Sequence, residues 1–424
     1  MFYNRIPGIG EVRLDEAPVN ILPIFRSPYF QMLRHRKQLG QVHLVFPGAT
    51  HSRLEHSLGT FARTREVLMR WHSEGLLNMQ DVITGCVYAV LHDIGHPPFS
   101  HTIEPLLKQG HHAIGMDIIR RLSLEIVACG TTPEAVMACF QKTHPVAAAV
   151  SDGSLGIDRL DYLWRDAHHT GFGGIPEISM VASSLTMRDG KLLLRKRSWQ
   201  EAMALVAFSH RMFERVYESS KSAYARRLIQ KMYERLEHLN MFQEADLVEL
   251  TDARLEGLWG NADDRGMNRM YQSYSCGWRI QTGLVICKKP YGESYARREK
   301  TDRVVHEMEP EEFDTLAKRV TWQMANTDER QIADALDQMN PYNLFLVPSR
   351  EERRYRVPNI TLLDGTVQVP IAEVDREQIE RINAGASRVS VIRVGTNDPE
   401  ALKKIVTGSD TILEIFRQWM AKPL

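Results

Sequence analysis

The chain has 424 residues, 43% of them hydrophobic and 25% charged, which is too long for one ordinary core and reads as a globular protein of two domains. Lys plus Arg and Asp plus Glu both number 53, so the formal charge is zero; this argues against a chain-wide grip on nucleic acid and leaves room only for a local basic patch. There is no long apolar run, inside the chain or in its first residues, so neither a membrane span nor a signal peptide is expected. The cysteines show no C-x-x-C spacing, which fits a reducing cytoplasm better than a disulfide framework or a zinc ribbon.

Residues 27–40 open on Ser27-Pro28 and close on Gly40, the punctuation of a helix, and VHLVF (42–46) reads as a short extended piece before the Pro47-Gly48 turn. Residues 53–72 carry a helical apolar stripe (Leu54, Leu58, Phe61, Val67, Leu68, Trp71). Residues 81–94 are apolar almost all round, as expected of a helix central to a helical core. A further helix is expected from about Leu155 to His168, stopped by Gly171, and a hairpin over 184–196 turns at Asp189-Gly190. Helical periodicity returns over 199–242. Residues 260–300 have weak periodicity and read as an irregular insertion or lobe. Strand-like runs at 355–372 and 387–394 lie between helical patterns at 311–339 and 399–420. The fold class expected is therefore mainly α. A helical catalytic domain with a small β-hairpin spans 1–250, and a mixed α/β lobe of regulatory or oligomerisation role spans 251–424.

Thirteen of the sixteen histidines precede residue 170, where an even spread would place about six. Histidine is the commonest metal ligand and the usual proton carrier near neutral pH, so the chemistry is expected in the first half. The central signal is Leu91-His92-Asp93-Ile94-Gly95-His96 at the end of the apolar helix. Adjacent His and Asp there can aim a nitrogen and a carboxylate oxygen at one ion, and mixed N/O ligation suits Mn, Mg, Fe, Ni or Zn. Arg53 and His56 lie three apart on one face of the preceding helix. Asp158, Tyr162 and Asp166 share a stripe that makes a poor core seam, because buried carboxylates need partners or a metal. His111-His112 follows a loop that holds His101 and Glu104.

The order His56, His92-Asp93, Asp158 resembles the HD-domain phosphohydrolases. The segments FQMLRHRKQLG (30–40), FPGATHSRLEHSLG (46–59), LHDIGHPPFSH (91–101) and IDRLDYLWRDAHHTG (157–171) are similar to the deoxynucleoside triphosphate triphosphohydrolase branch, over roughly residues 20–240. The resemblance implies His56, His92, Asp93 and Asp158 as ligands of a divalent metal ion, His112 as a catalytic histidine and Glu104 as its acidic partner. It also implies phosphate contacts at Arg53, His96, His101 and Arg159, and a sugar lined by Gln38, Leu39, Tyr162 and Asp166. The implied reaction is attack of metal-activated water at the α-phosphorus of a deoxynucleoside triphosphate, releasing triphosphate and a deoxynucleoside. The resemblance further implies a homo-oligomer with a nucleotide effector. Arg26, however, stands where the family has an acidic residue; a guanidinium offers no acceptor to guanine, which puts guanine-type activation in doubt. The basic run Lys221 to Arg227 is similar to a family helix that reaches substrate, and is equally compatible with a solvated face. The same metal shell would serve an HD phosphodiesterase or nuclease acting on another phosphoester, and a non-catalytic nucleotide sensor is a third reading.

Overall fold

The Ser52 hydroxyl accepts the Glu55 amide hydrogen at 3.3 Å and starts the 21-residue helix Arg53–Ser73, which carries His56. A reciprocal Asn78/Asp81 capping box starts the helix Met79–Leu91, whose buried run Thr84 to Leu91 delivers His92 and Asp93 at its C-terminal end. Gly171, at φ 68°, closes the helix Ile157–Thr170. The helix Arg53–Ser73 packs on both of the others, and the three form the frame of the site. The structure is a computed structural model and describes residues 3–277, 280–293, 303–327, 329–349, 355–384 and 390–421.

The chain forms two compact units that interleave along the sequence. The first comprises Met1–Met212, Phe242–Glu256 and Val357–Ile379; the second comprises Phe213–Met241, Gly257–Arg356 and Glu380–Leu424. The mainly α fold expected from periodicity is present. In the first unit the hairpin Leu185–Arg188/Lys191–Arg195 pairs in antiparallel register, with Asp189 and Gly190 both at positive φ in the turn. The strand Thr361–Asp364 pairs parallel to Lys191–Arg195 and antiparallel to Val367–Pro370, so a strand pair that lies beyond residue 250 belongs to this unit.

The second unit holds a four-stranded sheet in the order Val304–Met308, Gln281–Lys288, Val391–Thr396, Leu344–Val347. Its apolar face packs Leu284, Ile286, Leu346, Ile392 and Val394 against Phe313, Leu316, Ile405, Phe416 and Trp419, from the helices Pro310–Thr327, Pro399–Thr407 and Ser409–Ala421. No helix among the described residues is long and apolar enough to cross a membrane.

Four local expectations are corrected. Residues 28–35 form a short helix, Pro28–Met32, and a 3-10 turn, Leu33–His35, in place of one helix to residue 40. VHLVF lies mostly in the 3-10 turn Gly40–Leu44, because Gly40 sits at φ 50° and its carbonyl is taken by His43 Nδ1 at 2.8 Å. The supposedly irregular 260–300 contains the helix Arg265–Ser275 and the longest strand of the sheet, Gln281–Lys288. That strand's apolar run is short, and Gly283 stands inside it because a larger residue would press on Ile405. Residues 278–279 and 294–300 of this stretch, and 387–389 of the strand expected at 387–394, lie outside the described residues. The basic run is likewise consumed internally: Tyr224 is buried and donates to Thr282 Oγ1 at 3.1 Å, and Arg226 makes two bonds to Glu218.

Arg227 completes a buried ionic cluster in the second unit. Its Nε donates to Glu329 Oε1 at 2.9 Å, and Lys231 Nζ lies 3.1 Å from Glu329 Oε2. Burial pushes the Glu329 carboxyl up, but Arg227 and Lys231 outweigh it and hold the pKa at about 2. Because the folded pKa is depressed, the stabilisation is complete above the unfolded carboxylate range near 4.5 and is lost as pH falls toward 2. Glu329→Ala should destabilise the protein by about 3–5 kcal/mol at pH 7, since it removes the buried carboxylate that Arg227 and Lys231 share and leaves Arg227 with Glu234 and Lys231 with two backbone carbonyls. Denaturation midpoints of wild type and Glu329→Gln, measured from pH 7 down to about pH 3, should converge as pH falls.

Candidate metal centre

The His56 side chain is fully buried, and its two ring nitrogens have different neighbours. Nδ1 meets Asp161 Oδ2 at 2.9 Å, while Nε2 lies 3.2 Å from His92 Nε2, 3.0 Å from Asp158 Oδ1 and 3.7 Å from Asp93 Oδ2. His92 Nδ1 donates to the Ala89 carbonyl at 2.9 Å, which leaves its Nε2 facing the same point, 3.4 Å from Asp158 Oδ1 and 3.5 Å from Asp93 Oδ1. Ligand atoms of His56, His92 and Asp158 lie within 4.8 Å of one another. The four residues expected as ligands thus converge, each histidine with one nitrogen committed to an orienting partner and the other directed inward.

The donor set fits a divalent cation. Burial disfavours a charged imidazole, yet the Asp158 and Asp161 carboxylates raise the His56 pKa to about 10. Burial likewise raises Asp158, but His56 and His92 lower it to about 2. Asp93 falls well below the usual carboxylate range for the same reason, with His92, Arg53 and His96 overriding desolvation. A site that holds its carboxylates ionised and draws protons onto its histidines favours positive charge, and two imidazoles with two carboxylates suit a first-row divalent ion.

Beside this centre the structure gathers the residues expected at the phosphates. Arg53 is buried; Nε donates to Ser100 Oγ at 2.6 Å, Nη1 pairs with Asp93, and Nη2 has no protein partner. His96 is buried with Nε2 3.3 Å from Asp93 Oδ1, and its Nδ1 makes no hydrogen bond. His101 is exposed, and its Nδ1 meets Glu104 Oε2 at 2.8 Å. Arg159 is held by the Gly153 carbonyl at 2.9 Å and Ser209 Oγ at 2.7 Å.

One expected pairing is replaced. Glu104 bonds His111 Nδ1 and His101, not His112. His111 stacks on His96 with ring centroids 3.9 Å apart, whereas His112 is exposed beside it with its ring 4.3 Å from His111. Adjacent residues on a helix point about 100° apart, so only one of the pair can turn onto Glu104. Gly95 permits this approach of the helix His111–Arg121, since a Cβ at 95 would overlap the His111 carbonyl and the Gly115 amide.

Of the expected sugar residues, Gln38 and Asp166 are buried, and Leu39 and Tyr162 are half-buried. Gln38 Oε1 has no partner, and Asp166 Oδ1 meets His51 Nε2 at 2.9 Å. Asp158, Tyr162 and Asp166 succeed one another at four-residue intervals on one helix face, as the stripe required.

Sequence reasoning overlooked Asp161, Arg165, Arg36 and His51. Asp161 and Arg165 form an i,i+4 acid–base pair, a visible signal that was overshadowed by the neighbouring stripe. Arg36 donates to the carbonyls of His96, Leu247, Val248 and Leu250, and nothing local announces such long-range bonds.

Residues 53–138 match the family model described as HD domain, and the chain carries that domain. Its sequence is 32% identical over 212 residues to an uncharacterized protein, MJ1154, of Methanocaldococcus jannaschii, across 49% of this chain and 44% of that one. It is 40% identical over 194 residues to the deoxynucleoside triphosphate triphosphohydrolase SAMHD1 of Danio rerio, across 36% of this chain and 31% of that one. The chain therefore spans less than half the length of these relatives. Its fold is similar to a crystal structure of a phosphohydrolase from Bacteroides thetaiotaomicron, with a TM-score of 0.69 at 20% identity, covering 94% of this chain and 100% of that one.

Asp161 orients His56 without facing the inward point, so Asp161→Asn should weaken metal affinity about 10–100-fold, together with a loss of thermal stability from removal of the buried charge that Arg165 pairs with. His92→Ala and Asp93→Ala should remove the metal altogether. Chelator competition and elemental analysis of the purified variants measure both effects, and full metal content in a folded His92/Asp93 double variant would reject the assignment.

Proposed function

We propose that the chain is a metal-dependent phosphohydrolase that converts deoxynucleoside triphosphates to deoxynucleoside and triphosphate. The observation that carries this reading is a set of buried polar atoms that make no hydrogen bond among the described residues: Arg53 Nη2 and His96 Nδ1, whose side chains reach Asp93, and Gln38 Oε1. Each such atom costs on the order of 1–3 kcal/mol when left unpaired, a cost that a phosphorylated, hydroxyl-bearing ligand offsets. The likeness to a SAMHD1 triphosphohydrolase supports the choice of deoxynucleotide among such ligands.

His56, His92, Asp93 and Asp158 would hold the divalent cation, which would supply Lewis-acid charge at phosphorus and lower the pKa of the attacking water. Arg53 donates to a phosphoryl oxygen through Nη2 while Nη1 stays on Asp93, so one guanidinium spans metal shell and substrate. Water attacks the α-phosphorus, the bond to the 5′ oxygen breaks, and the departing oxygen takes a proton. His112 is the donor we assign to that step: its side chain is exposed beside His111, whereas His111 is committed to Glu104. Burial and His111 lower the His112 pKa, while Asp93 and Glu104 pull it back up. Asp166 accepts the single hydrogen of the sugar's 3′ hydroxyl, the Gln38 amide bonds the oxygen of the same hydroxyl, and the apolar Leu39 gives a 2′ hydroxyl no partner. Assembly into a homo-oligomer and regulation by a nucleotide effector belong to the same reading.

Incubation with Mn or Mg and each nucleoside triphosphate, followed by product identification, tests the class. Triphosphate plus nucleoside supports it, and cleavage of cyclic nucleotides or single-stranded ends alone would favour a phosphodiesterase or nuclease. kcat/KM for dGTP should exceed that for GTP by about tenfold to a hundredfold or more, and Leu39→Gly should narrow the gap. His112→Ala should lower kcat by about 10²–10⁴ with metal content retained; loss of metal together with activity would place His112 among the ligands.

A further inference from the structure

His51 touches two of the residues assigned to the sugar, Gln38 and Asp166, by two different parts of itself. Its backbone carbonyl accepts the Gln38 amide hydrogen at 2.9 Å, beside the antiparallel bridge between Lys37 and Ser52. Its ring Nε2 meets Asp166 Oδ1 at 2.9 Å, across 115 residues of sequence. Both side chains are buried, at 0% and 2% exposure, so this contact is not diluted by solvent. A carboxylate that far from water needs a donor, and the Nε2–H tautomer of His51 supplies one.

The ring is itself clamped. His169 stacks on it with centroids 4.3 Å apart and planes 12° from parallel. His169 Nε2 meets Glu55 Oε1 at 2.9 Å, and the same oxygen accepts from Arg165 Nη1 at 2.8 Å. Arg165 precedes Asp166 on the helix, so the chain of contacts from Asp166 through His51, His169 and Glu55 returns to that helix one residue away. A closed loop of this kind leaves the Asp166 carboxylate little rotational freedom, which is what positions a hydrogen-bonding group to within a fraction of an ångström of its ligand.

We propose that His51 is a positioning residue for the sugar subsite: it fixes the Asp166 carboxylate for the 3′ hydroxyl, in register with the Gln38 backbone that it also holds. The proposal rests on the deoxynucleotide reading above. It assigns His51 no contact with phosphate, metal or reacting atoms. Replacement of the side chain leaves the carbonyl bond to Gln38 in place and removes the hold on Asp166 together with the stacking on His169.

The test compares a deoxynucleoside triphosphate with its 2′,3′-dideoxy counterpart, which lacks the hydroxyl that Asp166 would receive. In His51→Ala, kcat/KM for the deoxynucleotide should fall roughly tenfold to a hundredfold, while the dideoxynucleotide should change by less than about threefold. His51→Asn, too short to reach Asp166 but polar and smaller in volume, should behave like His51→Ala and serves if the alanine variant does not fold. His51→Gln, whose amide nitrogen extends to the place of Nε2, should restore the difference between the two substrates. Equal losses on both substrates in variants of native thermal stability would overturn the positioning role and leave the deoxynucleotide reading intact, as would no loss on either. Wild-type protein that hydrolyses neither substrate would overturn the deoxynucleotide reading, and this proposal with it.

Discussion

The Asp161 carboxylate is the point on which the site turns. It is fully buried between the helices Arg53–Ser73 and Ile157–Thr170 and takes four contacts: His56 Nδ1 at 2.9 Å, Arg63 Nε at 3.2 Å, and Arg165 Nε and Nη2 at 2.9 and 2.8 Å. Burial alone would raise its pKa, but Arg165 and His56 drive it far below the usual carboxylate range. An ionised carboxylate in this position is tolerable only while all its donors stay in place. Packing of the two helices and orientation of the metal-facing histidine are therefore one condition. Gly59 reflects it, because a Cβ there would overlap the Arg165 guanidinium and the Asp161 carboxylate.

A second constraint holds the loops to this frame. Arg36 is buried, and desolvation lowers its pKa to about 10 despite the raising influence of Asp252. Its guanidinium ties the segment before Gln38 to the His96 carbonyl and to three carbonyls between Leu247 and Leu250. Asp252 adds to the clamp by accepting the amide hydrogens of Lys37 and Phe99 at 2.9 Å each. Phe99 and Ser100 both have positive φ, an unfavourable geometry for non-glycine residues that persists only where its surroundings enforce it. Here it turns Ser100 Oγ toward the Arg53 guanidinium and the Lys37 carbonyl. Arg53 is thus held from the Ser100 turn as well as by Asp93.

The second unit solves a different problem with the same chemistry. Lys231 is buried, and its ammonium bonds the carbonyls of Pro341 and Leu344 as well as Glu329. Glu329 in turn accepts the Leu346 amide hydrogen at 3.1 Å, at the strand Leu344–Val347. The cluster joins a helix to the edge of the sheet where apolar packing alone would leave strand carbonyls and an amide unsatisfied. It is a structural device, and it explains why a basic run that reads as a surface on paper is drawn inward.

Much of the site was legible because its signals are local. The His92-Asp93 pair ends an apolar helix, Arg53 and His56 share a helical face, and the stripe Asp158, Tyr162, Asp166 follows directly from 3.6 residues per turn. The hairpin at Asp189-Gly190 was legible for the same reason, since its turn chemistry is written in two adjacent residues. What escaped is long-range. No local pattern distinguishes His51 from any other loop histidine, and its partner Asp166 lies 115 residues away. The pairing of Glu104 with His111 in place of His112 depends on how one helix N-terminus approaches the Gly95 loop, a contact set by packing and not by periodicity. The strand Thr361–Asp364 joined the first unit because its partner, Lys191–Arg195, presented an open edge, and strand texture carries no mark of which edge a strand will find. The sequence by itself determined the three long helices that frame the site and the histidines and carboxylates they bring together, because spacing along a helix converts directly into a shared face. Tertiary structure alone decided which buried polar atoms are satisfied and which are left for a ligand, because that outcome depends on every group within reach of each atom in space, however far apart those groups lie in the chain.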